Sequence, residues 1–151
     1  MLEEYRSKRN FTKTSEPQGK IESRKTDKPV YVIQKHLATH LHYDLRLEME
    51  GVLKSWAIPK EPPLKEGIKR LAVETEDHPL DYANFEGEIP EGAYGAGKVE
   101  TWDKGYYIPL EIEKGKIIVE IKGEKLRGVH CLIKTKLKEQ RSWLFFKKRK
   151  T

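Results

Sequence analysis

Residues 42 to 50 alternate without a break. Tyr43, Leu45, Leu47 and Met49 share one parity, and His42, Asp44, Arg46, Glu48 and Glu50 share the other. Successive side chains of a strand point to opposite faces, so this stretch predicts a strand with one apolar and one polar face. Gly51 then turns the chain, and Val52–Ile58 reads as the return strand of a hairpin. Val30–Ile33 is a short β-rich run. Arg70–Glu76 alternates again, with Leu71, Val73 and Thr75 opposite Arg70, Glu74 and Glu76. Further strand candidates are Lys98–Trp102, Tyr106–Leu110, Ile117–Ile121, Gly128–Lys134 and Ser142–Phe146. Pro59, Pro62 and Pro63 mark a loop, Asp77-His78-Pro79 a turn, and residues 87–97 (GEIPEGAYGAG) a glycine-rich loop. No long helical period interrupts the body. The expected fold is therefore mainly all-β: a compact antiparallel β-barrel of about eight strands with few short helices.

Residues 1–28 differ. They are polar and charged, and Glu16-Pro17-Gln18-Gly19-Lys20 breaks any helix begun near Leu2. This segment reads as a basic, mobile N-terminal arm, and residues 29–151 as the barrel domain. The arm carries a net charge of +3, residues 134–151 carry +7, and the body between carries −4. Basic ends around an acidic body suit a polyanion gripped beside a carboxylate-bearing site. Two solubilising tails would give the same balance. Cys131 is the single cysteine, which excludes an internal disulfide and a cysteine-cluster zinc site. No apolar run approaches the ~20 residues of a membrane helix, and the first residues lack the order of a secretion signal. A monomer in the reducing cytoplasm, away from membranes, is the expectation.

The densest chemical cluster lies at His36, His40, His42, Asp44 and Arg46. Period two puts His42, Asp44 and Arg46 on one strand face, with neighbours roughly 7 Å apart. Two imidazoles and a carboxylate suit a divalent transition metal such as Mn, Fe or Zn. His36, placed just before the turn, could fold back as a third ligand, leaving positions open for water and substrate. Arg46 would then sit where an anion on the metal needs a second partner. Such alternation is also that of a solvated sheet face. Four of the five histidines, however, fall in two short segments. His40 lies in the turn and reads as a surface residue. His130, inside the apolar run Val129–Leu132, reads as a satisfied core histidine.

The second segment is Arg70–Tyr82, where Arg70, Glu74, Glu76 and His78 share parity. It could supply a phosphate contact (Arg70), a supporting carboxylate (Glu76) and an acid or oxyanion donor (His78, Tyr82). The glycine-rich loop lacks P-loop spacing. Trp143, Phe145 and Phe146 stand among Arg141, Lys147, Lys148, Arg149 and Lys150. They could stack bases, or be the core side of a last strand with a charged tail.

Gln34-Lys35-His36, Leu41 to Glu48, Leu53 to Lys60, Arg70 to Val73, Glu76 to Tyr82 and Phe85 to Gly97 together resemble the 3'-phosphoesterase module of the multifunctional bacterial DNA ligase D. Tyr5, Lys8-Arg9, Phe11, Thr14 and Glu16-Pro17 are similar to that module's leading arm. The resemblance covers nearly the whole chain, without polymerase or ligase sequence beside it, and so looks like the free-standing members of that family. It implies a compact β-barrel with manganese-dependent activity, Co²⁺ or Zn²⁺ being alternatives. Its substrate would be a nucleic-acid 3' end, such as a primer–template with a terminal ribonucleotide or 3'-phosphate. Removal of the ribonucleoside and of the phosphate would leave a 3'-hydroxyl fit for sealing, with a separate DNA ligase and a separate polymerase as the implied partners. Carried onto this sequence, His36, His42 and Asp44 would bind the metal. Arg46, His78 and Tyr82 would engage the scissile phosphate, and Gln34, Lys60, Arg70 and Glu76 would support them. His40 departs from the family pattern. Two other classes fit parts of the pattern: a non-catalytic OB-like barrel that only binds nucleic acid, and an iron oxygenase with His42, Asp44 and a distal His130.

Overall fold

The computed structural model describes residues 1–136 and 141–149; Lys150, counted above among the tail cations, lies outside them. Nine strands follow a short helix α1 (Glu3–Ser7): β1 (Val30–Leu37), β2 (Leu41–Met49), β3 (Val52–Ile58), β4 (Arg70–His78), β5 (Gly87–Ile89), β6 (Gly97–Glu113), β7 (Lys116–Lys122), β8 (Arg127–Lys134) and β9 (Ser142–Lys147). A 3₁₀ turn, Leu80–Asn84, follows β4. Two meanders, β1 to β4 and β6 to β9, are joined at β4–β9 and closed at β1–β6. The result is the expected antiparallel barrel of eight strands, with β5 added beside the start of β6.

Four local readings change. β4 runs on through Asp77 and His78, which read as part of a turn, and His78 pairs with Leu53. β1 runs on to Leu37 and takes His36 into the ladder, directly opposite His42. The two runs at 98–102 and 106–110 are one strand, β6, whose apolar alternation is interrupted where Asp103 turns inward. There its carboxylate accepts the Tyr31 hydroxyl (2.8 Å) and the backbone N–H groups of Glu124, Lys125 and Leu126. A buried carboxylate with four donors is a satisfied group, but in sequence it reads as a break. The glycine-rich loop also contributes three residues of strand, β5.

The closed wall separates two apolar clusters. Tyr31, Ile33, Tyr43, Leu45, Leu47, Trp56, Ile58, Val119, Ile121, Leu132, Trp143 and Phe145 fill the interior. Val32, Leu53, Ile89 and Val99 belong to a second cluster on the outside of the wall, with Tyr5, Tyr82, Ala83 and Phe85. The polar face of β2 is therefore not a solvated face. The 3₁₀ turn and the N-terminal segment cover it, and Asp44, Arg46 and Glu48 are all buried.

Five residues of helix are too few to hold together alone. α1 stands because Leu2 and Tyr5 are buried against the barrel, the ring alone contributing roughly 2 kcal/mol. The Tyr5 hydroxyl donates to the Pro17 carbonyl. Farther along, the Arg24 guanidinium makes a two-pronged contact with Glu48, both bonds 2.7 Å, and Glu48 also accepts the Val30 N–H.

A register shift between Leu53 and Ser55 alters the β3–β4 ladder: Ser55 faces Thr75 but Leu53 faces His78. Glu74 accordingly turns to accept the Trp143 indole N–H (2.9 Å), while Glu76 meets Lys8 and Arg9 of the arm. Glu74 thus leaves the face that strict alternation gave it with Glu76 and His78, because a bulge resets the period.

Candidate metal centre

His36, His42 and Asp44 converge outside the wall where β1 and β2 pair. His36 Nδ1 lies 3.2 Å from His42 Nε2 and 3.8 Å from Asp44 Oδ2, and His42 Nε2 lies 3.2 Å from the same oxygen. One ligand atom from each falls within 4.8 Å of the others. The antiparallel register explains this: His36 and His42 are cross-strand partners, and Asp44 is the next residue on the same face.

The ring nitrogens pointing away from the centre fix the tautomers. His36 Nε2 donates to the Gly95 carbonyl (2.7 Å), and His42 Nδ1 to the His40 carbonyl (3.3 Å). In the neutral rings, His36 Nδ1 and His42 Nε2 are then bare, facing each other and a carboxylate. Three electron-pair donors at this spacing attract positive charge. Burial opposes a charge on His42, yet the hydrogen bond and charge of Asp44 outweigh it and raise the ring's pKa. Burial lowers that of His36, with Asp44 partly offsetting. Burial would raise the Asp44 carboxyl, but the His42 bond and the Arg46 charge hold it below its ordinary value. The cluster could thus hold a proton on His42 or a divalent cation in its place. Two imidazoles and one carboxylate, each imidazole backed by a carbonyl, fit Mn, Fe, Co or Zn. Gly95 holds its position at φ +76°, a left-handed conformation that suits glycine.

Arg46 stands beside this centre and is itself held from several directions. Its Nε donates to Gln34 Oε1 (2.7 Å) and its Nη1 to Ser55 Oγ (2.9 Å), while Nη2 lies 3.6 Å from Asp44. The guanidinium lies over the Tyr82 ring at 4.8 Å. Gln34 donates in turn to the Tyr82 and Phe85 carbonyls, 2.7 and 3.2 Å. His78 Nδ1 donates to the Glu76 carbonyl (2.9 Å). Burial, then the Arg46 and Arg9 charges, push the pKa of His78 well below its ordinary value, so the ring is neutral at pH 7. Its edge meets Tyr82 and Tyr5. A cavity of about 200 Å³ is lined by His36, His42, Asp44, Arg46, Glu76, His78 and Tyr82, with Arg9, Tyr94 and Gly95 on its remaining sides.

Residues 34–134 match the family model described as the DNA ligase D 3'-phosphoesterase domain. The chain belongs to that family. It is 51% identical over 99% of its length to the multifunctional non-homologous end joining protein LigD of Pseudomonas aeruginosa, covering 18% of that protein. It is 46% identical over 95% of its length to LigD of Mycolicibacterium smegmatis, covering 20% of it. LigD of Mycobacterium tuberculosis is 46% identical over 89% of the chain, which covers 18% of that protein. The chain therefore spans about a fifth of the length of these relatives.

Of the residues singled out in this phosphoesterase-family sequence, the fold gathers His36, His42, Asp44, Arg46, Glu76, His78 and Tyr82 around one cavity, and Gln34 behind Arg46. Lys60 and Arg70 line a separate 290 Å³ pocket with Pro59, Lys69 and Leu71, and Arg70 Nε is bonded to the Glu61 carbonyl. His40 is exposed and offers the centre only its carbonyl. His130 stacks on Phe145 inside the barrel, ring centroids 5.4 Å apart, and so does not join His42 and Asp44. Periodicity gave no hint of Ser55, Arg9, Glu16 or Tyr94. Glu16 accepts the Tyr82 hydroxyl (2.7 Å) and the Arg9 Nε (2.9 Å), and Arg9 reaches Glu76 at 3.4 Å. A buried acid inside a charged arm carries no local signal. Only the matching arm residues Lys8-Arg9 and Glu16-Pro17 hinted at it.

Proposed function

We propose that the chain is a metal-dependent phosphoesterase that heals nucleic-acid 3' ends, removing a 3'-terminal ribonucleoside, a 3'-phosphate, or both in turn. The observation that carries this reading is the convergence of two bare ring nitrogens and a carboxylate beside an immobilised guanidinium. The family match supports the same reaction class. His36 through Nδ1, His42 through Nε2 and Asp44 through its carboxylate would hold a divalent ion, Mn²⁺ foremost, with Co²⁺ or Zn²⁺ compatible with the donors. When bound, such an ion supplies Lewis acidity to a phosphoryl oxygen and lowers the pKa of water.

The chain's own residues do the rest. Arg46 spends one N–H on Gln34 and one on Ser55, and its remaining donors bind two phosphoryl oxygens. Because it is locked beforehand, little reorganisation is needed as charge builds on those oxygens. Tyr82 lies beneath Arg46 and is itself fixed by Glu16. His78, neutral and with its Nδ1 proton committed, offers Nε2 as a proton acceptor at the cavity wall. Glu76 ties that wall to the arm through Lys8 and Arg9. In the first reaction water adds to phosphorus and the bond to the nucleoside 5'-oxygen breaks. The products are a 3'-phosphate end and a nucleoside with a 5'-hydroxyl. In the second, water adds again and the bond to the strand's 3'-oxygen breaks, releasing inorganic phosphate and a 3'-hydroxyl that a separate ligase could seal.

The test is incubation with Mn²⁺ and a labelled primer–template ending in one ribonucleotide. The expected products are first the 3'-phosphate and then the 3'-hydroxyl strand, with a terminal deoxynucleotide removed more slowly. Strand binding without any product, over a range of divalent metals, would leave only a passive nucleic-acid-binding barrel.

A further inference from the structure

Beside the metal-centre cavity lies a second, larger one of about 440 Å³, between the N-terminal arm and the glycine-rich loop. Arg9 and Tyr94 line both, so they form the common wall. Tyr94 is unusual among the aromatic residues here. Its side chain is carried on a loop and is 47% exposed, whereas Tyr5, Tyr31, Tyr82 and Tyr107 are buried. The loop is nonetheless built to hold it. The Ala93 N–H bonds to the Pro90 carbonyl (3.0 Å) and the Ala96 N–H to the Ala93 carbonyl (3.1 Å). The next residue, Gly95, is fastened to His36. The Tyr94 hydroxyl takes a hydrogen bond from Lys8 (3.4 Å), whose ammonium lies 4.8 Å from the ring centroid. A half-exposed ring is thus positioned one residue from a carbonyl that touches a metal-ligand candidate.

The groove's charges indicate what it takes. Lys8 and Arg9 are paired with Glu76 and Glu16, and Lys13 and Glu91 both belong to the same lining. With its cations nearly balanced, the groove suits a neutral polar group better than a row of phosphates. A terminal nucleoside is such a group: it has a flat base and hydroxyls but no phosphate of its own beyond the scissile one.

Resting on the phosphoesterase reading above, we infer that Tyr94 is the stacking platform for the base of the 3'-terminal nucleoside, which occupies the arm–loop groove while its phosphate lies by Arg46. The platform is specific to the first reaction. A 3'-phosphate end has no base beyond its phosphate and gains nothing from it. Base–aromatic stacking tolerates any base, which suits an enzyme that must accept all four ends.

The experiment compares Tyr94→Ala, Tyr94→Phe and the unaltered protein, with Mn²⁺, on three primer–templates. They end in a ribonucleotide, an abasic ribose or a 3'-phosphate. Tyr94→Ala should lower the ratio of ribonucleoside removal to phosphate release by roughly 5- to 150-fold, the loss of one stack, with Tyr94→Phe restoring it. The ratio for the abasic end should not fall. An Ala variant that slows the ribonucleotide and abasic ends alike, or that leaves the ratio intact, overturns the stacking role while the phosphoesterase reading stands. An unaltered protein that cleaves none of the three substrates overturns both.

Discussion

Replacing Arg46 by Lys keeps the charge and removes the fork. In the folded protein Arg46 is 3% exposed and satisfies Gln34 Oε1 and Ser55 Oγ. An ammonium on a shorter reach cannot serve both while also facing the cavity. Gln34 is fully buried, so its oxygen loses its donor, at about 1–3 kcal/mol. Ser55 keeps its bond to the Leu53 carbonyl and costs less, about 1 kcal/mol. The sum, about 2–4 kcal/mol, lowers Tm by roughly 5–15 °C for a chain of this size. The Gln34 bonds to the Tyr82 and Phe85 carbonyls would loosen with it, so the 3₁₀ turn should be the first region to lose hydrogen-exchange protection. The rate should fall much further, by ~10²–10³-fold, as expected when a preorganised donor is lost from a developing oxyanion. Metal affinity should change little, because all three ligands remain. Urea unfolding, Mn²⁺ titration and single-turnover hydrolysis measure the three quantities separately. A Lys variant with wild-type turnover would refute the phosphate-clamp role. One that loses Mn²⁺ binding as well would show that Arg46 acts on the ligands instead.

Other perturbations probe different parts. Mn²⁺ at about a hundred times its dissociation constant should stabilise the fold by ~2.7 kcal/mol, a rise of roughly 5–10 °C, and Asp44→Ala should erase most of it; an equal rise in both proteins places the ion elsewhere. His130 is buried, which lowers its pKa from 6.5 to about 4, the Gly128 carbonyl partly offsetting. Its folded value is depressed, so its contribution is whole above pH 6.5 and is lost as pH falls towards 4, at ~1.4 kcal/mol per unit. Stability measured from pH 7 to 4.5 should decline in the native protein and more gently in His130→Leu; identical slopes would exclude His130 as the cause. Arg24→Ala breaks a two-pronged contact whose guanidinium is half exposed, and Glu48 keeps the Val30 N–H. A loss of about 1 kcal/mol, smaller in high salt, is expected. Thermal unfolding that shows several times that loss would mean that the whole arm had detached.

The first hairpin is where sequence and structure agree most closely. Alternation along 42–50 follows from covalent geometry, because each strand residue points opposite to its neighbour whatever the rest of the chain does. That alone put Asp44 and Arg46 on one face and Tyr43, Leu45 and Leu47 on the other. The family motifs named the ligands beyond what periodicity offered. Tertiary structure decided the rest, because the remaining contacts join residues distant in sequence. β1–β6 pairing closed the barrel and made the apolar face of β2 the inside. The register of β1 set His36 across from His42, where the sequence offered only a residue near a turn. A bulge parted Glu74 from Glu76. The N-terminal arm and the 3₁₀ turn, separated from β2 by tens of residues, covered a face that would otherwise be wet. A period of two states which residues are neighbours on a strand. Only chain closure states what lies across from them, and that is what turns a polar face into a site.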